Sequence, residues 1–180
     1  MEQNEILALL DRAIAGRNVL SIERPELTET ELLCVPIARS EELLLVHVFY
    51  DFYPDGYRII RIEDIYNVIR EGSEEFFERI IIAEGVHGRL TSPGVIDLTS
   101  WRSTLASMGG RYSFCTIECD GGEEFLIGKV VELGEWELIF WYFDATGKWD
   151  DETDEVDYDD LSAVSFDDNY TNTIIKYIDR

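Results

Sequence analysis

Leu43-Leu44-Leu45-Val46-His47-Val48-Phe49-Tyr50-Asp51 and Trp136-Glu137-Leu138-Ile139-Phe140-Trp141-Tyr142-Phe143-Asp144 are two nine-residue stretches that read alike. In each, both alternating sets are apolar. Leu43, Leu45 and Phe49 alternate with Leu44, Val46 and Val48, and Trp136, Leu138 and Phe140 alternate with Ile139, Trp141 and Phe143. A short run of this kind reads as a strand buried on both faces. One face fills the core of its own unit. The other has to meet a helix, a sister unit or another chain, because a long exposed apolar face invites aggregation. The two stretches align at an offset of 93, which pairs Leu32 with Phe125, Leu45 with Leu138 and Asp51 with Asp144.

Working outward, the likeness extends. Gly16-Arg17 opens the first run, which ends at Ile62-Glu63-Asp64-Ile65-Tyr66-Asn67-Val68. Gly110-Arg111 opens the second, which ends at Tyr158-Asp159-Asp160-Leu161-Ser162-Ala163-Val164. The offset rises to 96 at Asp64 and Asp160, so the second run is longer by three residues in between. Self-similar segments form the same structural unit, so the chain reads as an internal duplication. Before each Gly-Arg lies an amphipathic helix. Ile6, Leu9, Leu10, Ala13 and Ile14 carry the first, and Trp101, Leu105 and Met108 the second, with Thr99 or Ser100 as its cap. Strands are expected over 19–23, 31–38 and 43–50, and over 112–119, 124–133 and 136–143. Asp55-Gly56 and Thr146-Gly147 read as the turns that follow, leading to fourth and short fifth strands. Segments 73–83 and 169–178 read as closing helices. The β-branched Ile80-Ile81-Ile82 keeps strand as the alternative in the first of them.

The expected fold is therefore mainly β with flanking helices (α+β): two small five-stranded barrels, each preceded and followed by a helix. The first repeat spans residues 1–84, a connector rich in glycine and proline 85–98, and the second repeat 99–180. A helix followed by five short strands with an acid-Asp-Ile/Leu corner resembles the small-barrel group that includes the Sm-like and SH3-like folds. The tandem form is similar to uncharacterised bacterial proteins. The resemblance implies a scaffold; the chain carries no RNA-binding signature of the Sm family.

Composition narrows the function. The 180 residues are 46% hydrophobic and 12% aromatic, enough apolar surface to offset the entropy of ordering. The net charge is −23, with −9 in residues 1–90 and −14 in residues 91–180. Such a field repels phosphate backbones and anionic membranes and attracts cationic partners, so nucleic-acid binding is disfavoured. The acidic N-terminal residues lack a secretory pattern, and no apolar run approaches the length of a membrane helix. A cytoplasmic location is expected. Cys34, Cys115 and Cys119 show no zinc-type spacing and read as buried thiols in a reducing compartment.

Residues 150–160 hold eight carboxylates in eleven positions. Like charges packed so closely favour a solvated loop, and Asp150, Asp151, Glu152, Asp154 and Glu155 are the candidate contacts for a basic protein partner. The run lacks the glycine and terminal glutamate of a calcium-binding EF-hand loop. His47, Asp64, Asp160, Arg17, Arg111, Tyr57 and Trp149 read as structural. No phosphate-binding loop or nucleophile constellation occurs, and neither cofactor nor metal site is expected. The leading expectation is a non-enzymatic acidic interaction module of the adaptor, inhibitor or immunity kind. The alternatives are a metal-assisted hydrolase using carboxylates from both repeats and an Sm-like nucleic-acid binder. Oligomeric state stays open.

Overall fold

A computed structural model describes residues 1–27 and 30–178. The first half contains α1 (Gln3–Gly16), β1 (Leu20–Glu23), β2 (Glu31–Arg39), β3 (Leu43–Tyr50), β4 (Tyr53–Arg61), β5 (Asn67–Ile69) and α2 (Gly72–Ala83). The second contains α3 (Trp101–Met108), β6 (Cys115–Cys119), β7 (Glu124–Leu133), β8 (Glu137–Tyr142), β9 (Asp154–Asp157), β10 (Leu161–Phe166) and α4 (Asn169–Ile174). The protein is thus mainly β with flanking helices. No helix among the described residues is long and apolar enough to cross a membrane.

Local chemistry fixes the helix ends. Glu2 and Glu5 form a capping box at α1, and Glu71 and Glu74 form another at α2. The Ser100 hydroxyl accepts the Ser103 amide at the start of α3. Arg17, at φ 52°, takes the left-handed position that ends α1. Ile80, Ile81 and Ile82 are helical, because Ile81 is drawn into a core beneath α2.

The strands join in one open, ten-stranded antiparallel sheet ordered β5-β1-β2-β3-β4-β10-β6-β7-β8-β9. No ladder among the described residues closes either half into a barrel. β4 pairs β10 across the middle, with Ile60 opposite Ala163 and Ile59 opposite Val164. Each half therefore places its last strand beside its first.

The two central hairpins run through the same pairs. Cys34 faces Val48, Pro36 faces Val46 and Leu45 faces Ala38, with a bulge between Pro36 and Ala38. Gly128 faces Tyr142, Val130 faces Phe140 and Ile139 faces Glu132, with a bulge between Val130 and Glu132. Each position recurs 94 residues later, not 93. The difference matters because a shift of one residue turns every side chain to the other face. Leu44 corresponds to Leu138 and Val46 to Phe140, all four with no exposed surface. His47 corresponds to Trp141 rather than Phe140.

Two cores follow from the alternation. Leu44, Val46 and Ile60 pack with Ile6, Leu10 and Ala13 of α1, and Ala163 of the second half joins them. Leu43, Leu45 and Ile59 pack with Trp101, Leu105 and Met108 of α3 and with Leu138, Phe140 and Val164. Ile59 and Ile60 are neighbours in β4, so the two cores lie on opposite faces of the sheet there. The second apolar face of β3 is covered by the other half. Smaller clusters seat α2 against Val19 and Val35, and α4 with Ile178 against Ile127 and Phe143.

The Asp55-Gly56 expectation is corrected. The chain reverses at Asp51-Phe52, where Asp51 has φ 52°, and Gly56 lies inside β4 with φ 78°. A Cβ on Gly56 would stand 2.6 Å from the Asp168 amide nitrogen, so the glycine is there because β10 and the start of α4 press against β4. Thr146-Gly147 is a turn as expected. The Asp144 carboxylate accepts the amides of Thr146 and Lys148 and the Thr146 hydroxyl.

Candidate functional site

The acidic run is not wholly a loop. Asp150, Asp151 and Glu152 are exposed in the segment before β9, whereas Asp154 and Glu155 lie on β9 itself, opposite Phe140 and Ile139. β9 is the last strand of the sheet, so its outer side is an open edge. Trp141 Nε1 donates to the Asp150 carbonyl at 2.8 Å, and the Glu152 amide donates to Asp150 Oδ1 at 3.1 Å. The first bond ties the exposed segment to β8, and the second folds the segment on itself. Burial, together with the negative charges of Asp154 and Asp150, raises the pKa of the Tyr142 phenol.

On the neighbouring strand β7, Lys129 Nζ stands 4.7 Å from the Trp141 ring centroid and 5.1 Å from that of Trp149. Trp149 also packs edge-on against Phe143. The aromatic pair is a support for the acidic segment, and its cation is held on the rings.

Two arginines of β4 bridge the seam between the halves. Arg58 donates through Nε to Ser165 Oγ and through Nη2 to Glu118 Oε1, both at 2.8 Å. Arg61 donates through Nε to the Leu161 carbonyl at 2.6 Å, and through Nη2 to the carbonyls of Tyr158 and Asp159. Its Nη1 reaches Glu63, and its guanidinium lies 5.9 Å from the Trp101 ring centroid. A cleft of about 450 Å³ opens beside Arg61, lined also by Glu41, Glu42, Glu63, Trp101 and Asp159. Sequence reasoning passed over Arg58 and Arg61. The signal was the pattern Arg-Ile-Ile-Arg, charges flanking two apolar residues on neighbouring, oppositely directed positions of one strand.

The residues read as structural have identifiable tasks. Arg17 donates to the carbonyls of Leu90 and His87, and Arg111 to that of Pro93, so the paired Gly-Arg arginines both hold the connector. His47 is buried, with Nε2 2.7 Å from the Thr91 carbonyl, which also accepts the Tyr57 hydroxyl. Burial lowers the His47 pKa below its usual 6.5. Burial raises the Asp64 carboxyl. Cys115 and Cys119 are buried, and loss of solvent pushes each thiol up to about 12. Among the described residues no group of three or more His, Cys, Asp or Glu side chains could hold a metal ion. Comparison with family models, curated proteins and solved structures finds no match for this chain.

Proposed function

We propose that this chain is a non-enzymatic interaction module and that the acidic β9 edge docks a basic protein partner. The observation that carries the reading is that Asp154 and Glu155 lie on the open edge of the sheet, with Asp150, Asp151 and Glu152 exposed beside it. An extended segment can add to such an edge through main-chain hydrogen bonds, and cationic side chains on that segment meet complementary charge. We further propose that residues 1–84 and 99–180 are two copies of one five-stranded unit of the small-barrel kind, joined by residues 85–98. The position-for-position ladders and the repeated strand order support this reading.

Immobilised protein challenged with a synthetic lysine-bearing extended peptide tests the docking. Retention is expected at low ionic strength, to fall as salt screens the charges, and to be lost in D150N/D151N/E152Q/D154N. Equal retention by that variant overturns the proposal.

A further inference from the structure

The ladders make β9 the positional counterpart of β4. On β3, residues Leu43, Leu44, Leu45 and Val46 face Arg61, Ile60, Ile59 and Arg58. On β8, the corresponding Glu137, Leu138, Ile139 and Phe140 face Asp157, Val156, Glu155 and Asp154. At the other end, β5 on β1 corresponds to β10 on β6. Ser21 facing Ile69 matches Thr116 facing Ser165, and Glu23 facing Asn67 matches Glu118 facing Ala163. The chain thus contains one used joint, β4 on β10, and the two edges that would make the next one, β9 and the β5 of a second copy. Head-to-tail joints of this kind extend indefinitely or close into rings unless something stops them.

We propose that the β9 edge is built to refuse another copy of this chain. Three of the contacts that make the joint, those of Arg58, Arg61 and Ile59, are reversed there. Arg58, bonded to Glu118, is replaced by Asp154, which would face Glu23. Arg61, which donates to the carbonyls of Leu161, Tyr158 and Asp159, is replaced by Asp157, which has no proton to give the corresponding carbonyls of Ile65, Ile62 and Glu63. Ile59, fully buried opposite Val164, is replaced by Glu155, whose carboxylate would be pressed against Val68. Ile60, the fourth position, keeps an apolar counterpart in Val156, which β9 turns into its own core. Charge on an open strand edge is a general guard against strand addition. Here it falls at the positions of Arg58, Ile59 and Arg61. The inference rests on the ladders and stands whether or not a basic partner docks.

The test is the mass of the full chain in solution by light scattering over a range of concentrations. The wild type is expected at the mass of one 20.8 kDa chain. D154R/E155I/D157R, which restores the joint side chains, is expected to at least double that mass. Adding E23R, which places a cation where the joint has Glu118, is expected to return it to one chain. A folded triple variant that stays at one chain overturns the proposal, as does a wild type that associates through β9. Association or precipitation of the triple variant that E23R leaves unchanged also overturns it. The milder D154R/D157R pair, read with and without E23R, decides the same question should the triple variant not fold.

Discussion

Arg58 of the first half and Glu118 of the second meet at 2.8 Å, with only 16% and 12% of their side chains exposed. They lie across the β4–β10 joint, where the halves share strands as well as side chains. Removing Arg58 leaves the Glu118 carboxylate uncompensated in a water-poor site, whereas Arg58 without Glu118 keeps its bond to Ser165. Arg58→Ala is therefore expected to lower unfolding free energy by about 3 kcal/mol in denaturant titration, and E118Q by less. R58M/E118L, which removes both charges and keeps volume, is expected to recover most of the loss.

Gly56 offers a test of the close approach between β4 and the start of α4. Gly56→Ala imposes a left-handed backbone on a residue with Cβ and drives that Cβ into the Asp168 backbone. Gly147 has the same φ of 78°, yet a Cβ there meets only ordinary contacts at 3.5 Å and beyond. Gly147→Ala should cost about 1 kcal/mol from φ alone, and Gly56→Ala at least about 2 kcal/mol. Equal losses in thermal unfolding would contradict the contact.

The register of β8 can be read by truncation. Phe140→Ala, which empties a site with no exposed surface, is expected to cost about 3–5 kcal/mol. Ile139→Ala, on the half-buried opposite face, is expected to cost roughly half that or less. In the first half, Val46→Ala should exceed Val48→Ala, which lies on the same face but is only partly buried.

His47 gives a pH dependence with a definite sign. Its folded pKa is depressed by burial below the unfolded value of 6.5. Below 6.5 the unfolded chain takes up the proton more readily, so the stability contributed by neutral His47 is complete above that pH and declines as pH falls through it. The difference in unfolding free energy between wild type and H47Q, measured from pH 8 to about pH 5, is expected to shrink on acidification. A difference independent of pH would contradict a buried neutral imidazole.

Cys115 and Cys119, buried and raised to about 12, hold almost no thiolate at neutral pH. Both are expected to resist an aromatic disulfide reagent in the native protein and to react once it is unfolded. Rapid native labelling of either, located by mass spectrometry, would contradict their burial.

Much of the local structure was legible in the residues themselves. The apolar spacing of Ile6, Leu10 and Ala13, a cap at Thr99 or Ser100 and the two-sided run 43–50 were each readable locally, because propensity, capping and burial on both faces act within a few residues of chain. The candidate acids were legible as charge. Their position on a sheet edge was not, because an edge is defined by what fails to pair beside it.

The sequence by itself determined that this protein would be a chain of short strands with helices before and after each half, and that β3 would need covering on both sides. Only the tertiary structure decided the register and the joint. A strand apolar on both faces gives no penalty for a slip of one residue, so an offset of 93 and the 94 at which the two ladders coincide read equally well until the bulges after Pro36 and Val130 fix each ladder. The pairing of Arg58 with Ser165, more than a hundred residues apart, turns on which edges meet, and that is settled by the cores forming together on opposite faces of one sheet.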